Sequence, residues 1–488
     1  MRDRLVALVL RYPALVVAAA LLVLATSLTR LVDLDARRLR LDIDTTLASL
    51  LPRSGAALAT YAATAERFGS DDVVYVAWLS DALFSHDVLQ GLKRLARDLE
   101  RVAGVRSVDS LAGATRVRVD DDLVAITRLL ARLPRTADGL AALAADARAD
   151  PLHGPQLIAP DDSGTLLVVR LAPGLDSAAL GAALDAIRAA AAARAADLPV
   201  RALVTGPVVA RLALGAALFV DVGRALPLAV LVTALIALVT LRSVRGVVLP
   251  LVATGGALIA TLAVFALRGH ALNFVTVIVP PVVFVVGFAM TVHVINAFDN
   301  AFEDVAHKRA ALAACMRELW QPLSLTAFTT AVGFASLATS NIDSIRVFGL
   351  YTALGTLAAW AAALFVIPAA LALWPARVLR RARASRLTAL APALARFDLR
   401  HRRAILVAAA LLALAALACA TRIEVSTDYL GNFAPTSSVR QDYETVRATF
   451  GGANPLQVVV RSELPGAFAD PVHLASIDAL EQALEEIG

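Results

Sequence analysis

Seven long apolar runs, unevenly spaced, restrict this chain to a narrow set of folds. Ala14–Leu31, Ala225–Leu241, Val247–Leu267, Phe274–Ala297, Leu323–Ser340, Val347–Trp374 and Ala404–Ala420 are each long enough to cross a ~30 Å hydrocarbon layer as a helix. In lipid a backbone must satisfy its own hydrogen bonds, so such runs specify spanning helices. With 58% apolar residues, the composition excludes a soluble enzyme. Five of the runs crowd into residues 217–374, whereas the stretch 35–216 between the first and second is water-compatible. A whole domain inserted after one span suits a transporter better than a receptor or a channel. Arg2, Arg4 and Arg11 precede the first run, but Thr29-Arg30-Leu31 ends it without a small-x-small cleavage site, so it reads as a retained signal anchor.

Arginine placement sets the expected orientation. Residues 376–403 hold nine arginines (377, 380, 381, 383, 386, 396, 400, 402 and 403) against one acid, Asp398. Basic loops stay cytoplasmic, and the loops with Arg242/Arg245 and Lys308/Arg309/Arg317 fall on the same side. The net charge of +5 is carried by that one loop and gives no reason to expect nucleic acid. Topology and attraction to anionic lipid account for it. The expected divisions are therefore 1–34 (basic N-terminus and first span), 35–216 (outward domain), 217–374 (spans 2–6), 375–403 (basic linker), 404–420 (seventh span) and 421–488 (start of a second outward domain). Cys315, expected in a cytoplasmic loop, and Cys419, at the outer end of the last span, are too far apart to pair.

Within 35–216, the β-branched apolar runs Val73–Leu79, Gly164–Leu171 and Val200–Thr205 predict strands. Helical patterns fall near Gly55–Arg67, Val88–Val102, Leu123–Leu133 and Ser177–Ala196. The alternation predicts helices layered on a sheet. Part of this pattern recurs. Leu41-Asp42-Ile43-Asp44 … Leu51-Pro52 … Tyr61 … Arg67-Phe68-Gly69 reappears as Val425-Ser426-Thr427-Asp428 … Ala434-Pro435 … Tyr443 … Thr449-Phe450-Gly451. Each copy follows a single span and leads into an apolar strand, Val73–Leu79 or Leu456–Val460. A long-period repeat of this kind implies two copies of one unit: a span, an outward domain, then five spans. Leu484–Gly488 aligns with Leu99–Gly104, so the second copy is expected to be incomplete, the chain being a fragment or a truncated product.

These features resemble the resistance–nodulation–division (RND) superfamily, in particular its MMPL-like and hopanoid-associated lipid exporters. The most specific stretch runs from Gln321 through Thr326, Thr329, Thr330, Gly333 and Ser336 to Arg346-Val347-Phe348-Gly349-Leu350 and Ile367-Pro368. Leu51-Pro52, Phe68-Gly69-Ser70, Thr205-Gly206-Pro207, Arg245-Gly246 with Pro250, and Gly287 with His293 add weaker matches. The resemblance implies a helical transmembrane bundle carrying α/β, porter-like extracytoplasmic domains in a cell (inner) membrane, with spans 2–6 similar to sterol-sensing domains. It implies ion-gradient-driven export of a hydrophobic or lipid-like substrate. The other reading is a sterol-sensing-like lipid binder or accessory protein without active transport. Expected partners are the substrate, membrane lipids, and further copies or accessory envelope proteins.

Relatives carry a proton-conducting aspartate in the fourth span where this chain has Met290, and no Asp or Glu lies between Phe274 and Ala297. His293, one turn on, could carry a proton near neutral pH or could be a core histidine held by a neighbouring helix. Thr326, Thr329 and Thr330 fit either helix packing or a hydroxyl relay. Asp221 and Arg224 have the spacing of an i,i+3 ion pair at the membrane surface, which is favoured over a substrate contact. Asp299, Glu303 and Asp304 read as a solvated face. The chain lacks GxxxxGK[ST], G-x-S-x-G and H-E-x-x-H, so neither ATP hydrolysis nor another catalytic activity is expected, and no cofactor or metal.

Overall fold

A computed structural model describes residues 2–33, 38–39, 41, 44, 56–68, 72–120, 123–150, 153–241, 243–305, 307–374, 386–423, 433–452, 458–462 and 466–485. The motifs Leu51-Pro52, Gly69-Ser70 and Val425–Asp428, and arginines 377, 380, 381 and 383, lie outside them. Two compact units emerge. One comprises Met1–Leu58, Leu175–Ala182 and Val208–Gln441; the other comprises Ala59–Gly174, Ala183–Pro207 and Asp442–Gly488.

Among the described residues, seven helices are long and apolar enough to cross a membrane: span 1 (Pro13–Leu31), span 2 (Pro207–Leu241), span 3 (Val244–Leu267), span 4 (Thr276–Phe302), span 5 (Lys308–Thr339), span 6 (Asp343–Leu373) and span 7 (Pro392–Ala420). Several outrun the apolar runs that announce them. A helix already nucleated gains one backbone hydrogen bond per added residue, so it continues through polar flanks. Proline suits a first helical turn because its missing N–H has no partner there anyway, and Pro13 starts span 1 in that way. Span 4 is central and packs against spans 3, 5 and 6, while span 1 lies on spans 3 and 6. Span 7 buries none of its most apolar stretch against the rest of the chain.

Small residues set those contacts. A Cβ on Gly287 of span 4 would lie 2.8 Å from Ala359 Cβ of span 6 and 2.9 Å from Thr254 Cγ2 of span 3. One on Gly355 of span 6 would lie 2.4 Å from Val283 Cγ2 and 3.2 Å from Thr261 Oγ1. Backbones approach this closely only where no side chain intervenes. Span 6 also contains a π-helical turn, Ala362–Val366, directly before Ile367-Pro368. Proline cannot supply the next i→i−4 bond, and the widened turn accommodates that loss.

The second unit is built on an antiparallel sheet. Its strands are β1 (Val73–Leu79), β2 (Val105–Asp109), β5 (Gly164–Leu171) and β6 (Arg201–Thr205), in the order β2-β5-β1-β6. β1 is central and buried on both faces, which is why it reads as a continuous apolar run. Trp78 points toward helix His86–Glu100, whose Val88, Leu89, Leu92, Leu95 and Leu99 are all buried. Arg194 Nε donates to Asp98 Oδ2 at 2.6 Å, tying the end of helix Ser177–Ala195 to that helix. On the other face, Val73, Tyr75, Ala77, Leu166 and Leu203 form a core with Val446, against which Tyr443 and Phe450 pack. Gly206 ends β6 at φ +122, and a Cβ there would stand 3.0 Å from Val73 O, so only glycine allows the turn into Pro207.

Two expected elements differ. Leu123–Leu133 was expected to be helical, but Thr115–Asp120 (β3) and Leu123–Arg128 (β4) form an antiparallel hairpin. Thr-Arg-Val-Arg-Val-Asp alternates with period two, and pairing to that strand outweighs the helical spacing of the leucines. Of the expected strand Leu456–Val460, residues 458–460 have no regular structure and the others lie outside the described residues. The helices Ala56–Phe68 and Ser438–Phe450 are both 13 residues long, and His86–Glu100 and Pro471–Glu485 are both 15. Each pair occupies equivalent places in the repeated sequence.

Burial pushes the Asp442 carboxyl above the usual carboxylate range, and Arg201 and Arg188 offset this only in part. Its contact with Arg201 Nη2 is long, at 4.0 Å. With the folded value above the unfolded one, stability falls as pH rises through the unfolded value near ~3.9 and stays lower above the folded value. Asp442→Asn is therefore expected to slow amide exchange across residues 442–450 at neutral pH, by well under tenfold because the group is partly exposed. The difference should vanish near pH ~3. Faster exchange in the variant would show that attraction to Arg201 outweighs burial.

Candidate functional site

The inner face of span 4 is apolar. Met290 is 4% exposed and lies in a core with Phe284, Phe288, Val294, Ile295 and Phe298 from its own helix and Ala363 and Leu364 from the π turn. Its neighbour Thr291 is fully buried, and its hydroxyl donates back to Gly287 O (3.1 Å) and Phe288 O (2.9 Å). Four further threonines line the same interior: Thr254 and Thr261 on span 3, Thr352 and Thr356 on span 6. Thr261 donates to Ala257 O and Thr356 to Thr352 O, both at 2.8 Å. The hydroxyls of Thr254 and Thr352 are buried without a hydrogen-bond partner. Sequence reading missed these four. Their signal is the spacing Thr254-Ala257-Thr261 and Thr352-Gly355-Thr356-Ala359, small residues at three- and four-residue intervals.

The residues singled out from the sequence lie elsewhere. His293 is exposed, on a stripe of span 4 with Val285, Ala289, Asn296 and Asn300, while Met290 points inward. Three residues advance a helix by 300°, enough to carry His293 off the buried face. Thr326 and Thr329 are exposed on span 5 and Thr330 is half-buried; the Thr329 hydroxyl donates to Leu325 O at 2.8 Å. Nor are they near His293. Cys315 Sγ contacts Val294 O at 3.4 Å, which fixes the register of the antiparallel spans 4 and 5. Thr326 then lies three turns further along span 5, about 16 Å from that level. Cys315 itself is not in a loop but buried in span 5. Asp221 and Arg224 are both exposed and form no ion pair, since an exposed pair gains too little to fix two solvated side chains. Among the described residues no group of three His, Cys, Asp or Glu is placed to hold a metal ion.

The architecture now meets an independent finding. The MMPL family model matches residues 58–417, from within helix Ala56–Phe68 through most of span 7. The chain belongs to the MMPL family. No curated protein matches it. MMPL proteins are RND-type transporters of lipid-like substrates, and with seven apolar helices this one is a multi-pass membrane protein.

Charged side chains tie together the basic end of this MMPL bundle. Arg245, at the start of span 3, pairs with Asp299 at the end of span 4, and its guanidinium lies 5.6 Å from the Phe298 ring centre. Asp299 is thus a partly buried partner rather than a solvated residue, with a side-chain exposure of 22%. The side chains of Glu303 and Asp304 lie outside the description. Arg317 on span 5 reaches Asp3 at 3.3 Å. Lys308 donates to Ala372 O at 2.7 Å and to Trp374 O, closing the end of span 6. Removing one member of a partly buried pair strands the other. Asp299→Ala is expected to cost about 1–3 kcal/mol in thermal unfolding in detergent, and Arg245→Met/Asp299→Leu to recover part of it. Equal losses in the single and double variants would show that the pair contributes nothing.

Proposed function

We propose that this MMPL chain exports a hydrophobic or lipid-like molecule from the bilayer toward the arginine-poor side, using an ion gradient. The observation that carries this reading is the family match over residues 58–417, which takes in both the large segment after span 1 and spans 2–6. On this reading residues 35–216 and 421–488 are extracytoplasmic and receive the substrate. The paired helix lengths support two copies of one unit. No covalent chemistry is involved. An ion gradient is the energy source favoured because the sequence holds no phosphate-cradling loop.

Met290 cannot carry a proton. His293 is the sole titratable residue between Phe274 and Ala297, so it is the residue assigned to proton handling in this span. An ionisable group on a spanning helix is costly unless it serves a purpose or meets water. Its exposed face leaves it open to solvent-filled space or a neighbouring helix.

The test uses the purified chain in phosphatidylcholine vesicles containing an NBD-labelled phospholipid, with transfer to acceptor vesicles followed under an imposed pH gradient. Transfer should exceed that of protein-free vesicles, accelerate with the gradient and lose the acceleration with a protonophore. His293→Gln should reduce it to the gradient-free rate, whereas Met290→Leu should leave it unchanged. Transfer that ignores the gradient would overturn coupling, and transfer no faster than from empty vesicles would overturn export.

A further inference from the structure

A groove opens between spans 1, 3 and 6, with a volume of about 690 Å³. Val16, Ala20 and Leu24 of span 1 form one wall, and Leu249 and Gly256 of span 3 with Phe365 of span 6 form others. Apart from the Trp374 indole, every lining side chain is hydrocarbon or absent. Small residues and the π turn beside Pro368 create the space. A Cβ added to Gly256 would meet nothing within 4 Å.

Its depth matches one leaflet. On span 3 the lining runs from Leu249 to Ala260, starting near the basic end that Ser243 caps. At 1.5 Å per residue this is about 17 Å, roughly half of a ~30 Å hydrocarbon layer. The volume lies within the ~300–1,000 Å³ of small-molecule sites. A hydrocarbon-lined groove of this depth and volume fits a flexible acyl chain.

Its mouth is cationic. Trp374 lines the groove at the basic end, and the Lys308 ammonium is anchored on the carbonyls of Ala372 and Trp374. Two acceptors leave one of its three N–H groups for an outside oxygen. Among the described residues no carboxylate pairs with Lys308, and the neighbouring Arg309 is exposed. Juxtamembrane cations of this kind attract anionic headgroups by about 1 kcal/mol each.

We infer that the groove between spans 1, 3 and 6 binds an acyl chain of an anionic phospholipid of the leaflet on the arginine-rich side, its headgroup beside Lys308. This site is independent of the transport reading. The test is native mass spectrometry of the full chain released into mild detergent from bilayers of phosphatidylglycerol and phosphatidylcholine. The wild-type chain should retain phosphatidylglycerol. Gly256→Leu, which fills the groove, should lower that occupancy by about tenfold, a change of ~1.4 kcal/mol. Gly223→Leu on span 2, which also meets open space, should not. Lys308→Gln should abolish the preference for phosphatidylglycerol while retaining lipid. No retained lipid, or equal retention by Gly256→Leu, would overturn the site. Equal retention of both lipids by the wild type would overturn the role of Lys308. Unchanged lipid with an altered oligomeric state in Gly256→Leu would make the groove a helix seat and overturn the proposal.

Discussion

Two helices in a bilayer gain little by hiding apolar surface from each other, because the lipid is equally apolar; the bundle depends on how closely spans 3, 4 and 6 approach. Gly287 lets span 4 meet Ala359 and Thr254, and Gly355 lets span 6 meet Val283 and Thr261. The threonines on this seam are compact, and Thr261, Thr291 and Thr356 return their hydroxyls to their own helices. Polarity therefore enters the interior without a charge. The cost falls on Thr254 and Thr352, whose hydroxyls remain unpaired. An unpaired buried hydroxyl costs about 1–3 kcal/mol, so both are held there by packing.

Close packing in the middle moves the stronger polar contacts to the ends. At the basic end, Arg245–Asp299, Arg317–Asp3 and Lys308 join spans 3, 4, 5 and 6 and the N-terminal helix Arg2–Arg11. At the other end a neutral network forms around Asn273. Asn273 Nδ2 donates to Ser344 Oγ at 2.9 Å, and Asn273 Oδ1 accepts from the backbone of Val275 and Thr276. That network ties the entry of span 4 to the start of span 6. Met290 lies between the two ends, in a core of apolar side chains. A carboxylate there would be ionised only at a cost of several kcal/mol.

Much of this was legible in the sequence because length and hydropathy decide it. The seven apolar runs and β1, β5 and β6 follow from apolar density alone. What failed was direction and competition. His293 and Met290 are one turn apart, but sequence does not say which side of span 4 faces neighbours, and the exposed stripe goes with the histidine. In the span 5 motif that carries the family resemblance, Thr326 and Thr329 are exposed and Thr330 half-buried, whereas the buried threonines of spans 3 and 6 sit in plain alanine-rich runs. Lys308, Arg309 and Arg317 flank Cys315 and suggest a loop, yet span 5 continues as a helix through them. Asp299 looked solvated because Arg245 is distant in sequence, and the register of spans 3 and 4 brings them together.

The repeated motif shows how one local sequence can serve two ends. In Ser438–Phe450, Tyr443, Val446 and Phe450 recur at three- and four-residue intervals and form one apolar ridge, which covers the sheet face made by Val73, Tyr75, Ala77 and Leu203. The corresponding positions in Ala56–Phe68 are Tyr61, Thr64 and Phe68. Tyr61 is 43% exposed, and Thr64 bonds its hydroxyl to Thr60 O at 2.7 Å in place of the fully buried Val446. At the centre of the ridge, Thr64 thus puts a hydroxyl where Val446 puts a methyl. The two helices are of equal length, but the residue at the centre of the ridge differs, Val446 in one and Thr64 in the other.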